Sequence, residues 1–190
     1  MTKAINLPNL SDLPVHSDCS MLNHFLNSGG PRDTTAYALW MNFIRLVDVA
    51  VREYELGRQE IVGSASILRR DTVAAGHFEL LLITLKRAVA HLNALRRCQT
   101  LKILLKKSEI ASIRASEKWI TNMRNAIAHL DERITNREIQ KGEPLCLKPV
   151  KDAVELGNKS IPYSEITDVI RKLHKLAGNV ALYVESTPPQ

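Results

Sequence analysis

The stretch HFELLLITLKRAVAHLNAL, His77 to Leu95, decides the fold. Phe78, Leu81, Leu82, Leu85, Val89, Leu92 and Leu95 return at steps of three and four, the period of one helix face and not the alternation of a half-buried strand. With Asp71 as its cap, this helix is expected to run to Arg97. Upstream, Tyr37, Trp40, Phe43, Ile44, Val47, Val51 and Tyr54 repeat the pattern. They mark a helix capped by Asp33 and stopped at Gly57, followed by a shorter helical region from Gln59 to Leu68.

Downstream, Cys98 to Lys107 fits either more helix or a packed loop, and Ser108 or Ser112 can cap a helix reaching about Ile139. Lys141 to Pro162 holds Gly142, Pro144, Pro149, Gly157 and Pro162 and reads as a long connection with room for one helical turn. No run alternates with period two and no Asn-Gly hairpin signal is present. Ser164 can cap a last helix to Val184, whose apolar face is Ile166, Val169, Ile170, Leu173, Leu176, Val180 and Tyr183. The expected fold is all-α, an up-and-down helical bundle of four long helices plus one or two short ones, over residues 33–185. An irregular arm, residues 1–32, precedes it, with room for a short helix at Cys19–Asn27. A frayed tail, residues 186–190, follows.

Composition narrows the partners without choosing one. Hydrophobic residues make up 45% and charged residues 24% of 190 residues, which suits a single domain with its own core and not a disordered chain. The net charge of +6 favours polyanions but is a general signal. Cys19, Cys98 and Cys146 are odd in number and far apart, so neither a disulfide framework nor a zinc site is expected. The opening MTKAINLPNLSDLP lacks an apolar core of signal-peptide length, and the apolar run around Leu80 to Leu85 is too short for a bilayer. A soluble cytoplasmic protein, with no membrane association, is the expectation.

Within the helix expected to end near Ile139 lies MRNAIAHLD, residues 123–131. At 100° per residue, Ile120, Met123, Ile127, Leu130 and Ile134 share one apolar stripe. Asn125 and His129 fall opposite it, an i,i+4 pair on the outward face, and Arg124 lies at the border with a stem long enough to carry its guanidinium outward. Ala126 and Ala128 leave room for a close approach. A neutral imidazole can move a proton at cellular pH, a guanidinium can stabilise a phosphorane-like transition state, and an amide can orient either group. The spacing alone carries little: 14 Arg and 6 His in 190 residues supply about 0.4 Arg-x4-His pairs by chance. The plain alternative is an ordinary solvated helix face.

The string Met123 to Asp131 resembles the Arg-x4-6-His motif of the HEPN domain family, in which a polar residue, often Asn, follows the Arg late in a helical bundle. The likeness covers about nine residues as motif and residues 33 to 185 as helix order. It implies a metal-independent endoribonuclease used as a toxin or phage-defence effector, leaving a 2′,3′-cyclic phosphate and a 5′-OH, with no cofactor and no metal ligands. It implies a homodimer whose two motif helices face a composite cleft, with an antitoxin or nucleotidyltransferase as a further partner. By the resemblance His129 is general acid or base, Arg124 stabilises charge, and Asn125 positions the imidazole or phosphate. A non-catalytic RNA- or nucleotide-binding module and a helical scaffold are the alternatives.

Other residues carry weaker signals. Lys106, Lys107, Arg114 and Lys118, preceded by Arg96, Arg97 and Lys102, suit an RNA-backbone track or a solvated face. His77 and Glu79 are candidates to support the motif from a neighbouring helix. His91 reads as a surface residue or a satisfied inter-helix contact, and His174 as exposed. Asp131 and Glu132 read as partners for Arg124 or a neighbouring subunit or, most simply, as helix-surface charge, and Trp40 and Trp119 as core or interface anchors. Aromatic residues are 5% of the chain with none beside the basic stretch, so base-stacking platforms have no support. No phosphate-binding Gly loop and no His-Glu-x-x-His is present.

Overall fold

The computed structural model describes residues 7–18, 29–63, 67–99, 101–102, 105–140, 142–143 and 145–183. The expected helix at Cys19–Asn27 and the tail at 186–190 lie outside the described residues. The chain is an all-α bundle with, among the described residues, four long helices and one short helix, joined by a small sheet: α1 (Thr34–Gly63), α2 (Ile67–Leu95), α3 (Lys107–Ala128), α4 (Leu130–Thr135), β1 (Lys148–Pro149), β2 (Ala153–Leu156), β3 (Lys159–Pro162) and α5 (Tyr163–Ala181).

Two helices stand where three were expected between residues 33 and 97. α1 runs through Gly57 to Gly63, and Asp71 lies inside α2 instead of capping it. Glycine within a helix costs about 1 kcal/mol against alanine, and here packing offsets that. A Cβ on Gly57 would lie 3.2 Å from two ring carbons of Phe78 and 3.3 Å from the His77 Cβ. The residue that looks like a stop is a point where α2 packs tightly on α1.

Neighbouring helices run antiparallel. Trp40, early in α1, donates its indole N–H to the Val180 carbonyl late in α5, and Tyr54, late in α1, meets Tyr163, first in α5, through the Phe78 ring. Lys175 pairs with Glu109 at one end of α3, and Lys159, just before α5, bonds the Asn122 carbonyl near the other. The core follows the sequence stripes: Trp40, Phe43, Ile44, Val47 and Tyr54 from α1, and Phe78, Leu81, Leu82, Leu85, Val89, Leu92 and Leu95 from α2, are all buried. Of the two readings of Cys98–Lys107, the described positions favour the packed loop, with Leu101 and Leu105 buried.

Asp33 caps α1 as expected, its Oδ1 accepting the Ala36 N–H at 2.7 Å. The serine caps do not form. α3 starts from Lys106 and α5 from Pro162, neither with a side-chain cap bond, and Ser108, Ser112 and Ser164 lie inside the helices.

The stretch read as a long connection is a three-stranded antiparallel sheet in the order β1-β2-β3. Val154 faces Ile161 and Leu156 faces Lys159 across a two-residue turn, Gly157-Asn158, in which Gly157 takes φ +60°. Glycine at the first central position is what a type II′ hairpin turn needs. Val154, Leu156 and Ile161 are buried, so one face of the hairpin joins the bundle core.

The described part of the arm is irregular up to His16, as expected, and is strapped across α1 and α5. Leu10 is fully buried and its N–H donates to Glu55 Oε1 (2.6 Å), while Tyr54 donates to the Pro8 carbonyl (2.9 Å). Arg171 holds Asp12 with two bonds (2.8 and 2.9 Å), and Asp48 accepts the N–H groups of His16 and Ser17. His174, expected at the surface, is buried, with Nε2 donating to the Pro14 carbonyl (2.7 Å). Among the described residues, no helix is long and apolar enough to cross a membrane.

Candidate functional site

The motif sits where a helix leaves the bundle, not in the middle of one. Ile120 and Met123 are buried, Ile127 is half-buried, and Ile134 is 46% exposed. The stripe Ile120–Ile134 therefore covers core only along its first half. α3 ends at Ala128, and His129 (φ −96°, ψ 8°) is both the last cap of α3 and the first of α4. The expected single helix to Ile139 is thus two pieces that meet at the imidazole-bearing residue. Arg137, with φ +57°, ends the second piece after Thr135.

Beyond that joint lies an open cleft of about 690 Å³. Asn125, Ala126 and His129 form one wall, Arg133 of α4 with Gln140 and Glu143 another, and the hairpin residues Leu156, Gly157, Asn158 and Lys159 the third. Asn125 and His129 are brought together as the i,i+4 spacing required. Arg124 is exposed and is not part of the lining. Its Nη1 donates to Asn125 Oδ1 at 3.3 Å, which places the guanidinium on the rim.

His129 Nδ1 lies 3.0 Å from Glu132 Oε2. A ring that donates from Nδ1 to a carboxylate keeps Nε2 as its basic nitrogen. Glu132, read from sequence most simply as surface charge, is thereby the group that sets the imidazole. Both side chains are more than 60% exposed, so the pair orients the ring without adding much stability.

On the opposite wall Arg133 Nη2 donates to Glu143 Oε1 at 2.6 Å, and Glu143 Oε2 accepts the Gln140 N–H at 3.2 Å. The bond from Arg133, with help from that N–H, holds the Glu143 carboxyl below the usual carboxylate range. Lys159 reaches over from the hairpin to the Asn122 carbonyl (3.1 Å).

The remaining candidates divide. Lys107, Arg114 and Lys118 are exposed on α3; steps of seven and four bring them within about 40° of one line, which Asn125 continues. Lys106 is exposed just before the helix. His77 and Glu79 stand apart from the cleft. His77 Nδ1 pairs with the buried Glu53 at 2.8 Å, and Glu79 accepts the Leu147 N–H at 3.4 Å. Burial pushes the Glu53 carboxyl up, but the bonds from His77 and Arg52 prevail and leave it lowered. These two residues tie elements together and do not support the motif. His91 bonds the carbonyl of Arg87 on its own helix.

Arg133, Glu143 and Lys159 were missed from sequence. The signal for Lys159 was present: Ala153 to Leu156 and Lys159 to Pro162 flank Gly157-Asn158, a turn pair as informative as Asn-Gly. Among the described residues, no group of three or more His, Cys, Asp or Glu side chains is placed to hold a metal ion. Comparison with protein-family models, with curated proteins and with solved structures returns no match.

Proposed function

We propose that the chain is a metal-independent endoribonuclease of the HEPN type, cutting RNA by attack of a 2′-OH on the adjacent phosphodiester. The observation that carries this reading is the imidazole of His129 on the wall of an open cleft, held from behind by Glu132 and flanked by Asn125. Nε2 takes the 2′-OH proton as the nucleophile attacks, and the protonated ring or a water returns a proton to the leaving 5′-oxygen. Asn125 offers amide hydrogens to a non-bridging oxygen. Arg124, fixed to Asn125 at the rim, stabilises the charge on the phosphorane. The homodimer rests on the resemblance alone. Use as a toxin or defence effector in the cytoplasm, restrained by an antitoxin or nucleotidyltransferase partner, rests on the resemblance alone.

A second reading is a non-catalytic RNA-binding module, favoured by the line of cations on α3, which needs no catalysis to be useful. Incubation of RNA with the protein in EDTA separates the two. Cleavage that disappears in His129→Ala and Arg124→Ala supports the nuclease. RNA bound but left whole by the wild type overturns it in favour of the module.

A further inference from the structure

Among the described residues the cleft holds two cations that the motif does not account for, on two different walls. Arg133 comes from α4 and Lys159 from the β2–β3 hairpin. Their present partners are an acidic side chain and a backbone carbonyl, Glu143 at 2.6 Å and Asn122 at 3.1 Å. Both are acceptors that a phosphate, with more charge and more oxygens, can displace. Asn125, Gln140 and Asn158 on the walls are amides able to meet base edges, and among the described residues no aromatic side chain lines the cleft. A volume of about 690 Å³ is that of a small-ligand site and suits one or two nucleotides, not a duplex.

Outside the cleft the charge continues. From Lys107 through Arg114 and Lys118 to Asn125 the exposed line on α3 runs for about 27 Å at 1.5 Å per residue. Lys159 bonds Asn122 one turn before the line ends, so the hairpin cation stands beside the track's last step.

We propose that Arg133 and Lys159 form a phosphate subsite for single-stranded RNA that lies along α3, with Glu143 occupying the guanidinium until the strand displaces it. This rests on the RNA-directed reading of the cleft, but not on cleavage. It also makes one copy of the chain sufficient to bind RNA, whatever a second copy adds to catalysis.

The test is fluorescence anisotropy with a 2′-O-methyl oligoribonucleotide, which binds but cannot be cut, across a series of salt concentrations. Lys159→Ala is expected to weaken binding about tenfold at low salt and to lower the slope of log affinity against log salt by about 0.7. Glu143→Gln, which frees Arg133, is expected to tighten binding about two- to fivefold. Lys172→Ala, on α5 and paired with Asp168, is the charge control and is expected to change neither. Affinity and slope unchanged in both Lys159→Ala and Glu143→Gln overturn the subsite, as does a wild type that binds no oligonucleotide. If that happens while His129→Ala still abolishes cleavage of ordinary RNA, the nuclease reading survives. If the variants respond as expected but ordinary RNA is never cut, the subsite stands and the nuclease reading falls.

Discussion

His129 Nδ1 and Glu132 Oε2 lie 3.0 Å apart, one turn from each other across the joint between α3 and α4. The joint matters to the chemistry, since the residue that would move protons is also the residue at which the helix is interrupted. Removing Glu132 frees the ring without touching substrate contacts. In Glu132→Ala, kcat is expected to fall about tenfold with KM little changed, against a loss of about 10²- to 10⁴-fold in His129→Ala. Steady-state kinetics on a short fluorogenic RNA reads both quantities. A rise in KM with kcat intact would place Glu132 in binding instead of orientation.

The apolar stripe of the motif helix is expected to divide energetically where it divides in space. Met123, 1% exposed, should cost about 2–5 kcal/mol as Met123→Ala. Ile134→Ala, at a residue 46% exposed, should stay within about 0.5 kcal/mol. Urea titrations of the two variants check this, and equal losses would mean that α4 packs on a core.

Gly57 offers a test of the α1–α2 crossing. Gly57→Val adds methyl groups where a single Cβ already meets the Phe78 ring at 3.2 Å, and about 1–3 kcal/mol of destabilisation is expected despite the better helix propensity of valine. A variant as stable as wild type, measured by the same titration, would show that the helices separate easily at that point.

The arm should loosen on mild acidification. The His16 and His174 rings meet at a tilt of 30° with centroids 4.1 Å apart, and Asp48 on α1 accepts the His16 backbone N–H. Burial first, and His174 second, push the His16 pKa below its ordinary 6.5, outweighing the opposing pull of Asp48. The folded chain thus binds this proton less readily than the unfolded one. Its contribution to stability is complete above pH 6.5 and fades as the pH falls from there toward the lowered value. Limited proteolysis of the arm at about pH 7.5 and 5.5 should show faster cutting at the lower pH, and His16→Phe, which keeps a ring but carries no proton, should remove much of that difference.

Sequence pattern foretold the parts of this molecule that repeat. Helix stripes such as Phe78 to Leu95 are periodic over many residues, and the core they form is the one observed. It misled where a residue's local preference was overruled by a neighbour far along the chain. Gly57 reads as a stop until Phe78 is known to press against it, and His174 reads as exposed until the arm crosses over it. The site followed the same rule. Asn125 and His129 share a face by spacing alone, so a helical wheel could pair them. Arg133 and Glu143 are ten residues apart and Lys159 lies beyond a hairpin turn, so their meeting depends on a helix break and a turn that no single period encodes. A cleft also borders the motif within one chain, which the helical wheel gave no sign of.

The central claim is that His129 drives attack by a ribose 2′-OH, and the ends of the cleaved RNA test it most directly. Wild-type protein in EDTA should leave a 2′,3′-cyclic phosphate and a 5′-OH. A single 2′-deoxy substitution at the cleaved position should block that cut, and His129→Ala should yield no product. A 3′-OH with a 5′-phosphate, cutting at the deoxy position, or undiminished cleavage by His129→Ala would contradict it.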